Sequence, residues 1–219
     1  MCGNVVPHRR CDFGVSRGTS PDEESVSRET LDALARFAAL LVSWNRTVNL
    51  VSANDESALW QRHIADSLQL IPLLHPLPGR AIDIGSGAGF PGLILALATG
   101  VPFDLIEADQ RKAAFLREAA RTTGAPVRVL AVRSESANIA PAPLVTARAV
   151  APLPKLLELA APLLAPGGQC LFLKGASVQE ELTMAAAQWH MREERVASRT
   201  APDACILRIS NLSRVIPQR

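Results

Sequence analysis

The residue types and spacing best suited to chemistry lie together at Asp83-Ile84-Gly85-Ser86-Gly87-Ala88-Gly89-Phe90-Pro91-Gly92. This glycine-rich turn follows an apolar run at 80–84 and leads into a helix-like segment from Leu93 to Ala98. The next apolar run, 103–106, is followed by an acid, Glu107. Strand, glycine loop, helix, strand, acid is the order in which a Rossmann-type sheet grips the sugar and nucleoside of a cofactor. Glycines let backbone approach a ligand where a Cβ would collide, and the acid accepts hydrogen bonds from ribose hydroxyls. A glycine turn without a ligand is the bland alternative; Asp83 and Glu107, both correctly placed, weigh against it.

Spacing narrows the ligand. A dinucleotide fingerprint reads G-x-G-x-x-G, whereas Gly85, Gly87 and Gly89 give G-x-G-x-G with Asp83 two residues ahead. That pattern resembles motif I of class I S-adenosylmethionine (SAM) methyltransferases. A pyrophosphate needs free helix N-terminal amides. Pro91, which suits a first-turn position, removes one of them.

The elements that must position these groups fit in 219 residues, enough for one α/β domain and a small extension. Hydrophobic residues make up 48%, so a core is feasible, and a net charge of +2 does not mark a nucleic-acid binder. Lysine occurs only at 112, 155 and 174, and the remaining basic residues are arginine. A coding bias that also enriches Ala and Pro accounts for this better than selection for phosphate reading. Cys2, Cys11, Cys170 and Cys205 lack metal-ligand spacing, so no metal is expected. A reducing, cytoplasmic compartment is expected instead. No 18-residue apolar run suggests a membrane span, and Arg9-Arg10 is not followed by a signal-peptide core.

Residues 1–19 read as a disordered tail, 20–79 as a helical extension, and 80–219 as the methyltransferase domain. Ser20-Pro21-Asp22-Glu23 has the form of a helix start. Leu31, Leu34, Ala38, Leu41 and Val42 recur with helical period. A second helical region runs from about 55 to 74, cut by Pro72. Strands are expected at 80–84, 103–107, 127–132, 144–148, 169–174, 190–197 and 204–210, with helices at 91–99, 110–123, 153–164 and 177–188. The alternation predicts an α/β fold, a mostly parallel seven-stranded sheet. The last two strands, joined by Thr200-Ala201-Pro202-Asp203, should form an antiparallel hairpin.

Several blocks sharpen this. They are Trp44-Asn45-Arg46-Thr47-Val48-Asn49-Leu50, Arg62-His63-Ile64-Ala65-Asp66-Ser67-Leu68, the glycine loop, Arg133-Ser134-Glu135, Arg148-Ala149 and Lys174-Gly175. In this order the chain, from about 28 to 210, resembles the bacterial 16S ribosomal RNA guanine-N7 methyltransferase family, glucose-inhibited division protein B. The resemblance implies a class I SAM-methyltransferase fold. It implies a SAM site on Gly85, Phe90, Ser134, Glu135 and Arg148, with Asp83, Gly87, Gly89 and Glu107 from the wider superfamily motif. It implies 16S ribosomal RNA or the small-subunit particle as partner, and a monomer is expected. One departure is that the family has Thr after Asn-Leu; here Val51 and then Ser52 follow, so an RNA-contacting hydroxyl would come from Ser52.

The chemistry asks little of side chains. Methyl transfer from a sulfonium is an in-line displacement governed by alignment. Guanine N7 has an in-plane lone pair and no proton, so no catalytic base is nominated. No Asn/Asp-Pro-Pro-aromatic motif follows the fourth strand, where the chain reads Thr146-Ala147-Arg148-Ala149-Val150. No cysteine sits on a loop suited to nucleophilic attack. Both features favour a ring nitrogen. Candidate RNA contacts are Asn49, Arg62, His63 and Lys174. Asp66 either orients His63 structurally, or Arg62 and His63 bind RNA. Arg148 needs a carboxylate, from Glu135 or SAM. Lys174 is a turn lysine or a phosphate contact. Trp44 and Trp60 fit a core better than a base stack. A small-molecule methyltransferase and a SAM-liganded RNA-binding regulator without turnover are the rivals.

Overall fold

A computed structural model describes residues 26–215. The expected helix start at Ser20–Glu23, the tail, Cys2 and Cys11 lie outside these residues. The first described helix, α1 (Arg28–Asn45), opens on Ser27, whose hydroxyl accepts the Thr30 amide. Ala33, Leu34, Phe37 and Leu41 are its buried residues. Phe37 centres a stripe in which Leu31 and Ala38 are only half-buried. The expected second helix is broken into pieces. These are α2 (Ala53–Glu56), a π-helical turn at Trp60–Ile64, α3 (Ala65–Leu68) and a 3₁₀ turn at Ile71–Leu74 that carries Pro72.

Then the sheet begins. In chain order come β1 (Ala81–Ile84), α4 (Gly92–Thr99), β2 (Phe103–Ile106), α5 (Gln110–Thr123), β3 (Val127–Leu130), β4 (Ala142–Arg148), α6 (Leu153–Ala160), β5 (Leu164–Lys174), α7 (Val178–Ala186), β6 (Trp189–Ala197) and β7 (Cys205–Arg214). Spatial order is β3-β2-β1-β4-β5-β7-β6. The first five strands are parallel, and β7 enters antiparallel between β5 and β6. The expected hairpin is therefore present. A single 3₁₀ turn, Ser134–Ser136, occupies the gap between β3 and β4.

Period-2 alternation divides each strand between two cores. Ala81, Phe103, Leu105, Leu171 and Leu173 face one cluster with Leu34, Phe37, Leu41, Leu93 and Phe115. Ile82, Ile84, Ile106, Cys170 and Phe172 face the other with Leu153, Leu157 and Leu182. The helical extension thus shares a core with α4 and α5. Truncating a fully buried side chain there, such as Leu34→Ala, should cost roughly 2–5 kcal/mol. Helix α4 is apolar almost throughout because its residues 92–96 are all buried, and Gly100 ends it at φ 72°. Polar Asp104 is tolerated inside the sheet because Arg80 (2.6 Å) and Arg128 (2.7 Å) neutralise it from either side.

Candidate active site

The carboxyl ends of the parallel strands share one edge of the sheet, where ligands of open α/β folds bind. At this edge β1 breaks into three residues of positive φ: Gly85 (62°), Gly87 (54°) and Gly89 (96°). Two of them are demanded by packing. A Cβ on Gly85 would lie 2.7 Å from Val150 Cγ2, and one on Gly89 would lie 3.2 Å from Leu93 Cβ. Gly87 differs, because a Cβ there would meet only the Gly85 carbonyl oxygen, at 3.8 Å. The protein leaves space over the middle of the loop, as a ligand lying across it requires. The loop is pinned to β2 by the Ser86 amide, which donates to the Ile106 carbonyl at 3.0 Å.

Glu107 sits at the lip of this space. Its Oε2 accepts the Gly87 amide and its Oε1 the Asp109 amide, both at 2.8 Å. The two bonds fix the carboxylate beside the loop. Each oxygen keeps a second lone pair, so the group still has capacity for ribose hydroxyls. Asp109 caps α5, accepting the Arg111 and Lys112 amides.

Asp83 is buried completely. Burial pushes its pKa up to about 6 against the opposing pull of Thr146, whose hydroxyl donates to Oδ1 at 2.6 Å. Register brings them together, since Asp83 faces Thr146 across β1 and β4. Oδ2 has no formed hydrogen bond. The Gly92 amide on that side lowers the pKa without reaching bonding geometry. A Cβ on Gly92 would fall 2.5 Å from the Asp83 Cβ. Asp83 therefore acts from beneath the loop, and Gly92, absent from the expected site, is what lets α4 approach it.

Phe90 closes the loop. Its ring meets Phe37 edge-on at 5.6 Å, stacks with His63 at 5.0 Å, and has the Arg148 guanidinium carbon 4.8 Å from its centroid. A residue of the extension and a residue of β4 thus converge on the loop. Burial, followed by the Arg148 charge, drives the His63 pKa down to about 4. His63 is a neutral ring at physiological pH, not a phosphate-binding cation.

Two expected pairings are replaced. Arg148 does not meet Glu135; its Nη1 donates to Asp66 Oδ2 and to the Arg62 carbonyl, both at 3.3 Å. Glu135 is exposed, with Lys155 Nζ at 3.8 Å. Asp66 does not orient His63, since its oxygens are engaged by Gln69, Thr200 and Arg148. The nearest carboxylate to His63 Nε2 is Asp55, at 4.0 Å. The i,i+3 spacing of His63 and Asp66 concealed that a strand 82 residues downstream supplies the better partner.

The other candidates separate by exposure. Lys174 is a buried partner of Glu181 and donates to the Ala151 carbonyl, so it is an internal ion pair and not a free phosphate contact. Ser134 is half-buried in the 3₁₀ turn after β3. Asn49 is exposed. Its neighbour Asn45 holds the turn, accepting the Leu50 and Val51 amides and donating to Glu56. Ser52 caps α2 through the Asp55 amide. Arg62 pairs with Asp55 at 2.8 Å while 62% of its side chain stays exposed. Trp44 packs on Phe115 at 5.7 Å, and both Trp44 and Trp60 pack against the core. The Cys170 thiol is buried, with its pKa pushed up to about 12 by burial, which leaves it inert.

Comparison with known proteins identifies the family and the fold. The family model described as rRNA small subunit methyltransferase G matches residues 30–204. A Granulibacter bethesdensis protein named ribosomal RNA small subunit methyltransferase G is 58% identical over 92% of this chain and 94% of its own. A Gluconobacter oxydans protein of the same name is 56% identical over 88% of this chain and 99% of its own. Among solved structures, a cofactor-bound MTB protein superposes with a TM-score of 0.54 at 18% identity, covering 82% of this chain and 89% of that one. M. jannaschii TYW2 in complex with AdoMet gives 0.53 at 14% identity, covering 69% and 77%. At these identities the structures speak for the fold alone.

Proposed function

The chain belongs to the rRNA small subunit methyltransferase G family, and from that premise we propose that it transfers the methyl group of SAM to N7 of a guanine in 16S ribosomal RNA. The observation that carries the cofactor reading is the Gly87 position. It is the one loop glycine whose missing side chain leaves open space, and Glu107 is bonded to its amide at the rim.

SAM supplies an electrophilic methyl on a sulfonium. The residues of this chain bind, orient and exclude water. Gly85, Gly87 and Gly89 form the floor, with Asp83 fixed beneath them. Glu107 takes the ribose hydroxyls. Phe90 gives an apolar wall, held by Phe37 and His63. Arg148 keeps Nε and Nη2 without a partner among the described residues, and these donors suit the amino-acid carboxylate of SAM. Ser134 and Glu135 close the far side of the crevice from the turn after β3. Guanine N7 needs no base to expose its lone pair, so the catalytic contribution is alignment of nitrogen, methyl and sulfur, with reacting atoms about 3–3.5 Å apart, and a dry site.

RNA is held from the extension. Arg62 is the exposed cation nearest the His63–Phe90 contact in sequence, and Asn49 is exposed on the turn before α2. The protein acts as a monomer in the cytoplasm, on the small-subunit particle or its RNA. No helix among the described residues is long and apolar enough to cross a membrane. The test is to incubate the protein with methyl-labelled SAM and small-subunit particles and map the label. Label at N7 of one guanine is expected. Label only on free small molecules, or SAM binding without transfer, overturns the reading.

A further inference from the structure

We infer that Asp66 is a positioning residue that sets the Arg148 guanidinium for the cofactor and ties it to the β6–β7 turn. The inference rests on the cofactor reading above. Asp66 lies in α3, remote in sequence from the strand edge, yet its two oxygens serve different masters. Oδ2 accepts Arg148 Nη1 at 3.3 Å. Oδ1 accepts the Thr200 hydroxyl and Gln69 Nε2, both at 2.7 Å. Gln69 in turn accepts the Arg199 amide at 2.9 Å and donates to the Ser198 and Thr200 hydroxyls at 3.3 Å. The carboxylate is therefore fixed on one oxygen by the turn and on the other by the arginine.

The charges require this arrangement. Arg148 is 17% exposed and Asp66 15% exposed. Burial pulls the arginine pKa down, and Asp66 is the largest influence raising it again. A guanidinium left unpaired there would incur the desolvation cost of a buried charge. Asp66 and the Arg62 carbonyl both engage Nη1. Nη1 is thus the anchored end, while Nε and Nη2 remain available at the loop. The same anchoring holds the guanidinium over Phe90, at 4.8 Å. A side chain with four rotatable bonds is thereby pre-ordered, which lowers the entropy a ligand carboxylate must remove.

Asp66→Asn separates this role from a structural one. The amide can still accept from Thr200 and Gln69 through Oδ1, but it then presents an N–H to Arg148 Nη1, two donors facing each other. The measurement is SAM affinity by titration calorimetry in a double-mutant cycle with Arg148→Ala, using the full chain, with thermal melts as the folding control. Asp66→Asn should weaken SAM binding about tenfold, about 1.4 kcal/mol. In the Arg148→Ala background the same change should weaken it less than about twofold, because the route is already gone. Thr200→Val, which removes one support of the carboxylate, should show a smaller loss with the same dependence on Arg148, and it serves if Asp66→Asn does not fold. Unchanged affinity, or an equal loss with and without Arg148, overturns the positioning role alone. A wild-type chain that does not bind SAM, or Arg148→Ala binding it normally, removes the cofactor reading beneath it.

Discussion

The His63 imidazole stacks on the Phe90 ring, centroids 5.0 Å apart and planes 29° from parallel. One ring comes from the π-helical turn of the extension and the other from the glycine loop, so the wall of the proposed cofactor site is shared between them. The widened turn is a common device where a helix must aim a side chain at a site. Because burial holds the His63 pKa near 4, the contact is between a neutral ring and an aromatic face. SAM affinity should be flat between pH 6 and 8 as far as this residue is concerned. His63→Phe should keep affinity within about threefold, and His63→Ala should lower it by about tenfold through loss of stacking, about 0.5–1.5 kcal/mol, and of packing. Calorimetry across that pH range checks both. A midpoint near 6.5 that disappears in His63→Phe would show the ring titrating in the site.

Gly87 and Gly92 should respond differently to substitution, because a Cβ meets open space at the first and the Asp83 side chain at the second. Gly87→Val puts a branched side chain into the open space over the loop and a β-branched residue at φ 54°. It should abolish SAM binding while costing about 1–3 kcal/mol of stability from backbone strain. Gly92→Ala leaves the ligand space alone and drives a Cβ to 2.5 Å from that of Asp83. It should destabilise the fold by about 1–3 kcal/mol and lower the melting temperature. Denaturation curves beside SAM titrations distinguish them. A normal SAM affinity in Gly87→Val removes the loop from the site.

Arg62 is an exposed arginine of the extension, paired with Asp55 at 2.8 Å, and surface pairs of this kind contribute little to stability. Arg62→Ala should therefore leave melting and SAM affinity unchanged. It should weaken RNA binding uniformly and reduce the slope of log affinity against log salt by about 1. Filter binding of small-subunit RNA at several salt concentrations measures this. An unchanged slope places Arg62 outside the RNA surface.

Local chemistry was legible in the sequence and distant pairing was not. Gly85, Gly87 and Gly89 marked a tight turn open to a ligand, and their positive φ is the conformation that only glycine adopts cheaply, while the apolar period fixed α1 and the strands to within a few residues. The antiparallel hairpin followed from the short linker between β6 and β7. The partner of Arg148 was hidden because Asp66 lies 82 residues away in sequence and is itself held by Thr200, 134 residues from it, and nothing in local periodicity reports such contacts. Lys174 shows the same limit, since Glu181 on α7 captures it. Trp60–Ile64 read as ordinary helix because π and α turns share the same residue preferences. Thr146, by contrast, is marked in the sequence as the one hydroxyl of β4, and it lies in register with Asp83.

Asp83 makes the most direct pH prediction. Its carboxyl is wholly buried with one oxygen unbonded, and burial raises its pKa from the ordinary 3.8 to about 6 in the folded chain. A raised carboxyl pKa means that the native state holds the proton more tightly than the unfolded chain. The associated stability is fully present below about pH 4 and is lost as pH rises through 6. That rise in pKa corresponds to roughly 3 kcal/mol. Asp83→Asn, which keeps the shape and cannot ionise, should lack this slope. Relative to wild type it should gain about 2–3 kcal/mol between pH 4 and 7.5, read from urea denaturation at each pH. Parallel curves for the two proteins would mean that Asp83 stays ionised in the fold, with its Thr146 bond outweighing burial.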